Sequence, residues 1–377
     1  MTRPSIFLSA GEASGDLYVS RVARALRARD EGLRLVGVVG PHGRAAGVEP
    51  WARSEDLAVM GFGEVVRHLP RLFRLARELE ARAAAEGVDL FLPVDYPGFH
   101  VRLAGRLRRR GIPTLDFIPP KTWSWARWRL GRLRASVERC AVIFPFEVDH
   151  YRGAGIDAVF VGHPLVDAHA DALASDPPER RGLLVAPGSR PQELTRLAPI
   201  LAEGVRRLGD RADRAIDVRV SRASGVETEW LRPLLDVGAR PVEGTLFDEL
   251  RRSEAAVVCS GTATVEAALA ETPHLIVYRT GGLSYRIARR LATVEHIGMA
   301  NIVLGRRAFP ELLQDALTPG AIADRLDALF LDPDESVRAQ QRSDARELRR
   351  RLGEPGCFDR VAALALERLG TTANGTD

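Results

Sequence analysis

Short apolar runs alternate with longer stretches in which apolar residues recur every third or fourth position, and the alternation continues along most of the chain. A run of four to eight apolar residues bounded by turn residues reads as a buried strand; the three-to-four spacing reads as a helix that covers it. Residues 5–9 therefore read as a strand, 10–15 as a loop and 16–29 as a helix. Residues 33–39, 88–94, 112–118 and 140–144 are further strands, with helical periodicity over 64–86 and 98–110. A polar break at 167–181, holding Pro177 and Pro178, precedes a second series. There 182–186, 216–220, 255–259 and 274–278 read as strands, 260–264 as a turn opening a helix over 265–270, and 319–369 as charged helix.

This order predicts an α/β protein with parallel sheets covered on both faces. Two halves of similar size predict two doubly wound, Rossmann-like domains facing each other across a cleft. The expected boundaries are 1–166 for the N-terminal domain and 167–340 for the C-terminal one. Helices over 341–377 are expected to pack back on the first domain or on a partner subunit. In such sheets ligands bind beyond the carboxyl ends of the strands, so the loops at those ends are the places to look for chemistry.

Composition narrows the classes. The chain has 377 residues, 45% hydrophobic and 28% charged, as in soluble globular proteins. No run approaches the roughly 18 apolar residues of a membrane span, and residues 1–9 are too short a start for a signal peptide; a cytoplasmic protein is expected. Cys140, Cys259 and Cys357 lie far apart, so a disulfide framework is not indicated. The eight histidines show no metal-binding spacing. The net charge of +4, carried mostly by arginine, suits phosphate or an anionic membrane. Nucleic acid is not an expected partner, because basic runs interleaved with aromatics are missing.

Four strand-end loops carry unusual residues. In AGEASGD (residues 10–16), Gly11 and Gly15 let the backbone approach a ligand, Glu12 and Ser14 stand between them, and Asp16 can cap the next helix. It lacks the GxGxxG pattern, so a dinucleotide is not indicated. The second loop opens at Asp95, followed by Tyr96 and Pro97. A carboxylate there, with an ordinary pKa of about 3.9, can take a proton from an attacking sugar hydroxyl, or simply cap a helix that Pro97 favours. The third, PGSR (187–190), gathers Gly188, Ser189 and Arg190 at a helix start. The helix supplies roughly half a positive charge and Arg190 a planar cation, a combination suited to a departing diphosphate. The fourth runs Ser260, Gly261, Thr262, Ala263 and Thr264 into a helix bearing Glu266. Small and hydroxyl residues admit phosphate to the amides, and Glu266 suits the two hydroxyls of a ribose. Loops three and four together read as a diphosphate-plus-ribose site in one domain.

These segments resemble the lipid-A-disaccharide synthase family, inverting glycosyltransferases of the GT-B architecture. The likeness runs in order through AGEASGD (10–16), GFGEVVRHLP (61–70), Asp95 with Pro97, WSW (123–125), FPFE (144–147), FVGHPL (160–165), PGSR (187–190), SGTATVE (260–266) and PELLQ (310–314). His100 stands where the family commonly has asparagine. The resemblance implies transfer of a sugar from UDP-2,3-diacylglucosamine to 2,3-diacylglucosamine 1-phosphate, giving a β-1,6-linked disaccharide 1-phosphate and UDP, with no cofactor and no metal. It implies Asp95 as base on the acceptor 6-hydroxyl, Arg190 and residues 260–264 on the diphosphate, and Glu266 on the ribose. Asn301, Glu311 and Gln314 would border the donor, and residues 10–15 would position substrate. It also implies a homodimer, with C-terminal helices that can be exchanged.

Lipid substrates need an apolar surface. Val66, Leu69, Leu72 and Phe73 share helical spacing, accompanied by Arg67, Arg71, Arg74 and Arg77. This is either an interfacial segment on anionic lipid or a core-facing amphipathic helix. Trp123, Trp125 and Trp128 are further candidates for the interface or for core packing. The expected location is the inner face of the cytoplasmic membrane, held peripherally. Two other classes stay open: an enzyme like UDP-N-acetylglucosamine 2-epimerase, with the same two-domain plan, and a non-enzymatic sugar-nucleotide or lipid-binding module.

Overall fold

The structure, a computed structural model, describes residues 3–58, 65–124, 127–212, 215–242, 244–282, 285–286, 290, 292–331 and 335–370, with the side chains of 58, 65–69 and 331 outside the description. The chain forms two compact units. The first comprises residues up to Asp167 together with those from Gly353 onward; the second is Ala168–Leu352. Residues 341–352 accordingly lie in the second unit.

Unit 1 is built on seven strands: β1 (Ser5–Ala10), β2 (Arg34–Val39), β3 (Glu49–Arg53), β4 (Leu90–Val94), β5 (Leu115–Phe117), β6 (Arg139–Val142) and β7 (Asp157–Phe160). All pair in parallel, in the order β3-β2-β1-β4-β5-β6-β7. Every residue of β1 and β4 is buried. Helices cover both faces of such a sheet, so its inner strands must be continuous apolar runs. Strand order reverses between β1 and β4, whose ends lie side by side with Ala10 opposite Val94. The reversal is where the carboxyl ends open a crevice.

The helix after β1 spans Ala13–Arg29, three residues earlier than the sequence suggests. The loop therefore shrinks to Gly11 and Glu12, and Ser14 and Gly15 lie in the first helical turn. The cause is Asp16, which does not cap this helix. Its buried carboxylate accepts from the amides of Gly40, His42 and Gly43 at 2.6, 2.8 and 3.1 Å, and so anchors the helix Pro41–Ala45 beyond β2. The last helix, Cys357–Leu369, packs on Ala13–Arg29. Asp167 accepts from the amides of Gly356 and Cys357 at its start, and Phe358 reaches the rings of Tyr18 and Phe117.

Unit 2 has six parallel strands: β8 (Leu183–Ala186), β9 (Val218–Ser221), β10 (Arg240–Val242), β11 (Ala255–Cys259), β12 (His274–Tyr278) and β13 (Glu311–Leu313). Their order is β10-β9-β8-β11-β12-β13, so this sheet reverses between β8 and β11. The helix Pro191–Gly209 shows how the pattern becomes packing. Leu194, Leu197, Leu201, Val205 and Leu208 recur every three or four residues and all are buried. Each such burial contributes roughly 1.5–3 kcal/mol, and together they form the core against β8, β9 and β11. The turn expected over 260–264 is shorter, because the helix there spans Thr262–Leu269. All three cysteines are buried thiols.

Candidate active site

The two switch points hold the four loops that the sequence singles out, two in each unit. In unit 1 the chain leaves β4 through Asp95 and Tyr96, both left-handed at φ 52° and 53°, and enters the helix Pro97–Arg108. Non-glycine residues rarely take this conformation, and two in succession need external support. The amide of Asp95 donates to the carbonyl of Phe117 on β5 at 2.9 Å. Asp95 Oδ1 accepts the Tyr96 amide at 2.8 Å. The Tyr96 ring lies over Gly11, where a Cβ would fall inside it, so only glycine fits at the end of β1. Thus the first and second loops meet, and Glu12 and Ser14 stand exposed beside them.

His100, one turn into the helix, is buried and closes the arrangement. Its Nδ1 bonds the carbonyl of Asp95, and its Nε2 lies 2.8 Å from Ser9 Oγ on β1. Burial pulls its pKa down to about 4, so the ring is neutral. A carbonyl only accepts, so Nδ1 carries the proton, and Nε2 accepts from the Ser9 hydroxyl.

The carboxyl of Asp95 does not have the ordinary acidity assumed from sequence. Although Asp95 is exposed, the protein surrounding it raises its pKa, against the opposing pull of the Tyr96 amide and the Lys121 charge. Beneath it on β5, Asp116 is fully enclosed; burial and the charge of Asp95 push it up to about 8. Trp123 and the FPFE segment form a brace. Buried Glu147 accepts from the Trp123 indole at 2.8 Å and from the amides of Ile143 and Phe144 at 3.2 and 3.1 Å. Burial still raises its carboxyl to about 7.

In unit 2 the loop after β8 passes through Gly188 (φ 114°) into the helix Pro191–Gly209. Its start is already served by Glu193, whose Oε2 accepts from the amides of Ser189 and Arg190 at 3.3 and 3.4 Å. Arg190 is 77% exposed and pairs with Glu193 at 2.9 Å, so its guanidinium is held over the helix end without being used up by the fold. The loop after β11 contains Gly261 at φ 150°. Ser260 Oγ donates to the carbonyl of Ile297 at 3.0 Å, and Thr264 Oγ1 to that of Gly261 at 2.8 Å. The first amides of the helix that begins at Thr262, with Ala263 following, lack intrahelical acceptors.

Glu266 lies one turn on, 3.8 Å from Nε2 of His169. His169 is stacked on Phe247 with ring centroids 3.7 Å apart. Asn301 and Glu311 are buried and committed to each other. Glu311 accepts from the amides of Ile297 and Gly298 at 3.2 and 3.0 Å and from Asn301 Nδ2 at 2.8 Å. Asn301 Oδ1 accepts from Ala308 and Phe309. They fix the turn that receives Ser260. Gln314, at φ 52°, is oriented to bond both the amide and the carbonyl of Thr280.

Leu72 is half-buried and Phe73 is 48% exposed, with Arg102 5.3 Å above its ring. Trp123 is buried, whereas Trp128 is 72% exposed. The side chains of Val66 and Leu69, and Trp125, lie outside the described residues. Among the described residues no three His, Cys, Asp or Glu side chains are grouped to hold a metal ion, and no helix is long and apolar enough to cross a membrane.

Sequence reasoning places the four loops and singles out His100, but not Ser9, His169, Phe247 and Thr280, which hold His100, Glu266 and Gln314.

Two doubly wound units, each with its distinctive loops at the switch point, define the GT-B class of two-domain α/β proteins. A putative UDP-N-acetylglucosamine 2-epimerase from Listeria monocytogenes has a TM-score of 0.69 at 11% identity, covering 100% of this chain and 99% of its own. A calicheamicin glycosyltransferase has a TM-score of 0.57 at 18% identity, covering 99% and 100%. At such identities the likeness is one of fold alone. Sequence narrows the class: the family model described as lipid-A-disaccharide synthetase matches residues 6–363. The lipid-A-disaccharide synthase of Syntrophus aciditrophicus is 36% identical, with 97% of this chain and 98% of the relative covered. That of Anaeromyxobacter dehalogenans is 38% identical, with 95% of each covered. The chain belongs to the lipid-A-disaccharide synthetase family.

Proposed function

We propose that this chain is an inverting hexosyltransferase that joins two acylated glucosamines, with Asp95 as the base. The 6-hydroxyl oxygen of 2,3-diacylglucosamine 1-phosphate attacks the anomeric carbon of UDP-2,3-diacylglucosamine. The bond from that carbon to the diphosphate oxygen breaks, and the hydroxyl proton passes to Asp95. UDP leaves with its charge met by the amides at Thr262 and Ala263 and by Arg190, while Glu266 takes the ribose. Attack opposite the leaving group turns the donor's α-linkage into a β-1,6 bond. No metal or cofactor is required in this reading, since amides and a guanidinium meet the developing charge.

The observation that carries the base assignment is the support given to Asp95 at a switch point: a carboxyl with raised pKa on a braced left-handed turn. A base works best with its pKa nearer the working pH. Asp95→Asn should lower transfer by about 10²–10⁴-fold and leave UDP affinity unchanged in calorimetry. Retained transfer would move the base elsewhere.

Peripheral attachment to the inner face of an anionic membrane and a homodimer belong to the same reading. Exposed Phe73 and Trp128, each with an arginine over its ring, support the first; the family resemblance supports the second.

A further inference from the structure

Between the helices Val65–Ala85, Pro97–Arg108 and Leu130–Ser136 of unit 1 lies a cavity of about 570 Å³. This is the size of a small-molecule site, roughly 300–1,000 Å³. Its lining has two characters. Ala76 and Phe99 are buried and Leu72 half-buried, giving an apolar floor; Arg102, Arg109 and Arg132 are exposed, giving a cationic rim. Among the described residues none of these three arginines pairs with a carboxylate. Arg106, which also lines the cavity, is spoken for, since it shares Glu80 with Arg110 at 2.6 and 3.0 Å. A smaller cavity of about 150 Å³ shares Arg102 and Arg132 with the first and reaches Pro97, two residues beyond Asp95.

An inorganic anion would have no use for the apolar floor, and an acyl chain alone would have none for three uncompensated cations. A bilayer would meet a flat or convex apolar face, not a recess between three helices. The lining fits one amphiphile with an anionic head. We propose that this cavity binds an acylated phosphomonoester, with Arg102 and Arg132 on the phosphate and the chain against Leu72, Ala76 and Phe99. Resting on the transferase reading, the ligand is the acceptor: its 6-hydroxyl lies at Asp95, and its 1-phosphate selects it from neutral acylated sugars.

The test compares acceptors with and without the 1-phosphate. Replacing Arg102→Ala and Arg132→Ala together should raise KM for the phosphorylated acceptor about 10–100-fold, the loss expected of charge-assisted hydrogen bonds. Transfer to the phosphate-free acceptor should change less than about threefold, and Arg102→Lys with Arg132→Lys should retain most of the selectivity. Both arginines are exposed, so folding is not at stake. Equilibrium dialysis of the phosphorylated acyl sugar in dilute detergent should show the same weakening without turnover. Equal effects on both acceptors, or none, overturn the proposal. So does unchanged sugar affinity with lost sedimentation on phosphatidylglycerol vesicles, which would assign the arginines to the bilayer. Wild-type protein that binds the sugar but forms no disaccharide would sink the transferase reading and leave the cavity's ligand standing.

Discussion

Asp95 and Tyr96 hold a conformation that costs of order 1–3 kcal/mol per residue, and the contacts that hold it also aim the carboxylate. His100 is central, because it bonds the Asp95 carbonyl on one side and Ser9 on the other. His100→Ala removes both bonds and should lower kcat far more than it raises KM. His100→Asn can donate and accept in the same two directions, and should recover much of the loss; a merely space-filling role would not show that recovery. The raised pKa of Asp95 carries its own expectation. The base must be ionised, so kcat/KM falls as pH drops through its pKa. That acid limb should lie above the ordinary aspartate value of about 3.9 and disappear in Asp95→Asn. A limb at the ordinary value would mean that water reaching the exposed carboxylate outweighs the crowding around it.

At the scale of elements, the unit 1 site depends on one close approach between two loops. A methyl on Gly11 would occupy the Tyr96 ring. Gly11→Ala should therefore displace the Asp95–Tyr96 turn, destabilise the fold by about 1–3 kcal/mol and depress transfer beyond that loss. Gly209→Ala is the control: nothing lies within 4 Å of its added Cβ, at the end of a helix where alanine is favoured by up to about 1 kcal/mol. Its melting temperature should hold or rise. Equal behaviour of the two variants would show that the Tyr96 ring does not rest on Gly11.

The elements also show where sequence reading stops. The nine strands it identified are the nine interior strands of the two sheets. The four it did not name, β3, β7, β10 and β13, are the four sheet edges. A strand between two neighbours, covered on both faces, has to be an apolar run. An edge strand keeps an open flank, and β3 and β10 have no buried residue at all. The site divides in the same way. Asp95, Gly188, Arg190 and the Ser260–Gly261 turn stand at strand ends and carry a local signature. Ser9 and His100 meet across 91 positions, and His169 joins Phe247 and Glu266 only through the fold. No spacing rule detects such pairs. The helix start at Ala13 was missed because Asp16, which looks like a local cap, spends its carboxylate on another helix.

For the whole molecule, enclosed carboxyls tie stability to pH. Folding raises Asp116 from an ordinary value to about 8, so the folded state keeps a proton that the unfolded chain has lost. Its contribution is full below about pH 4 and is lost as pH rises towards 8. Asp116→Asn removes that dependence. Its melting temperature should gain on the wild type steadily between pH 4 and 8, measured by differential scanning calorimetry. Parallel curves would show that Asp116 is ionised and solvated in the folded protein.

The proposed transfer assigns acceptor chemistry to Asp95 in unit 1 and donor binding to the loops after β8 and β11 in unit 2. The most direct measurement incubates the purified protein with UDP-2,3-diacylglucosamine and 2,3-diacylglucosamine 1-phosphate and follows products by mass spectrometry. Transfer by this route gives equal amounts of UDP and a disaccharide 1-phosphate whose mass is that of the two substrates less UDP, with a β-1,6 linkage by NMR. An epimerised or hydrolysed UDP-sugar with no disaccharide, across several acyl lengths, would contradict it.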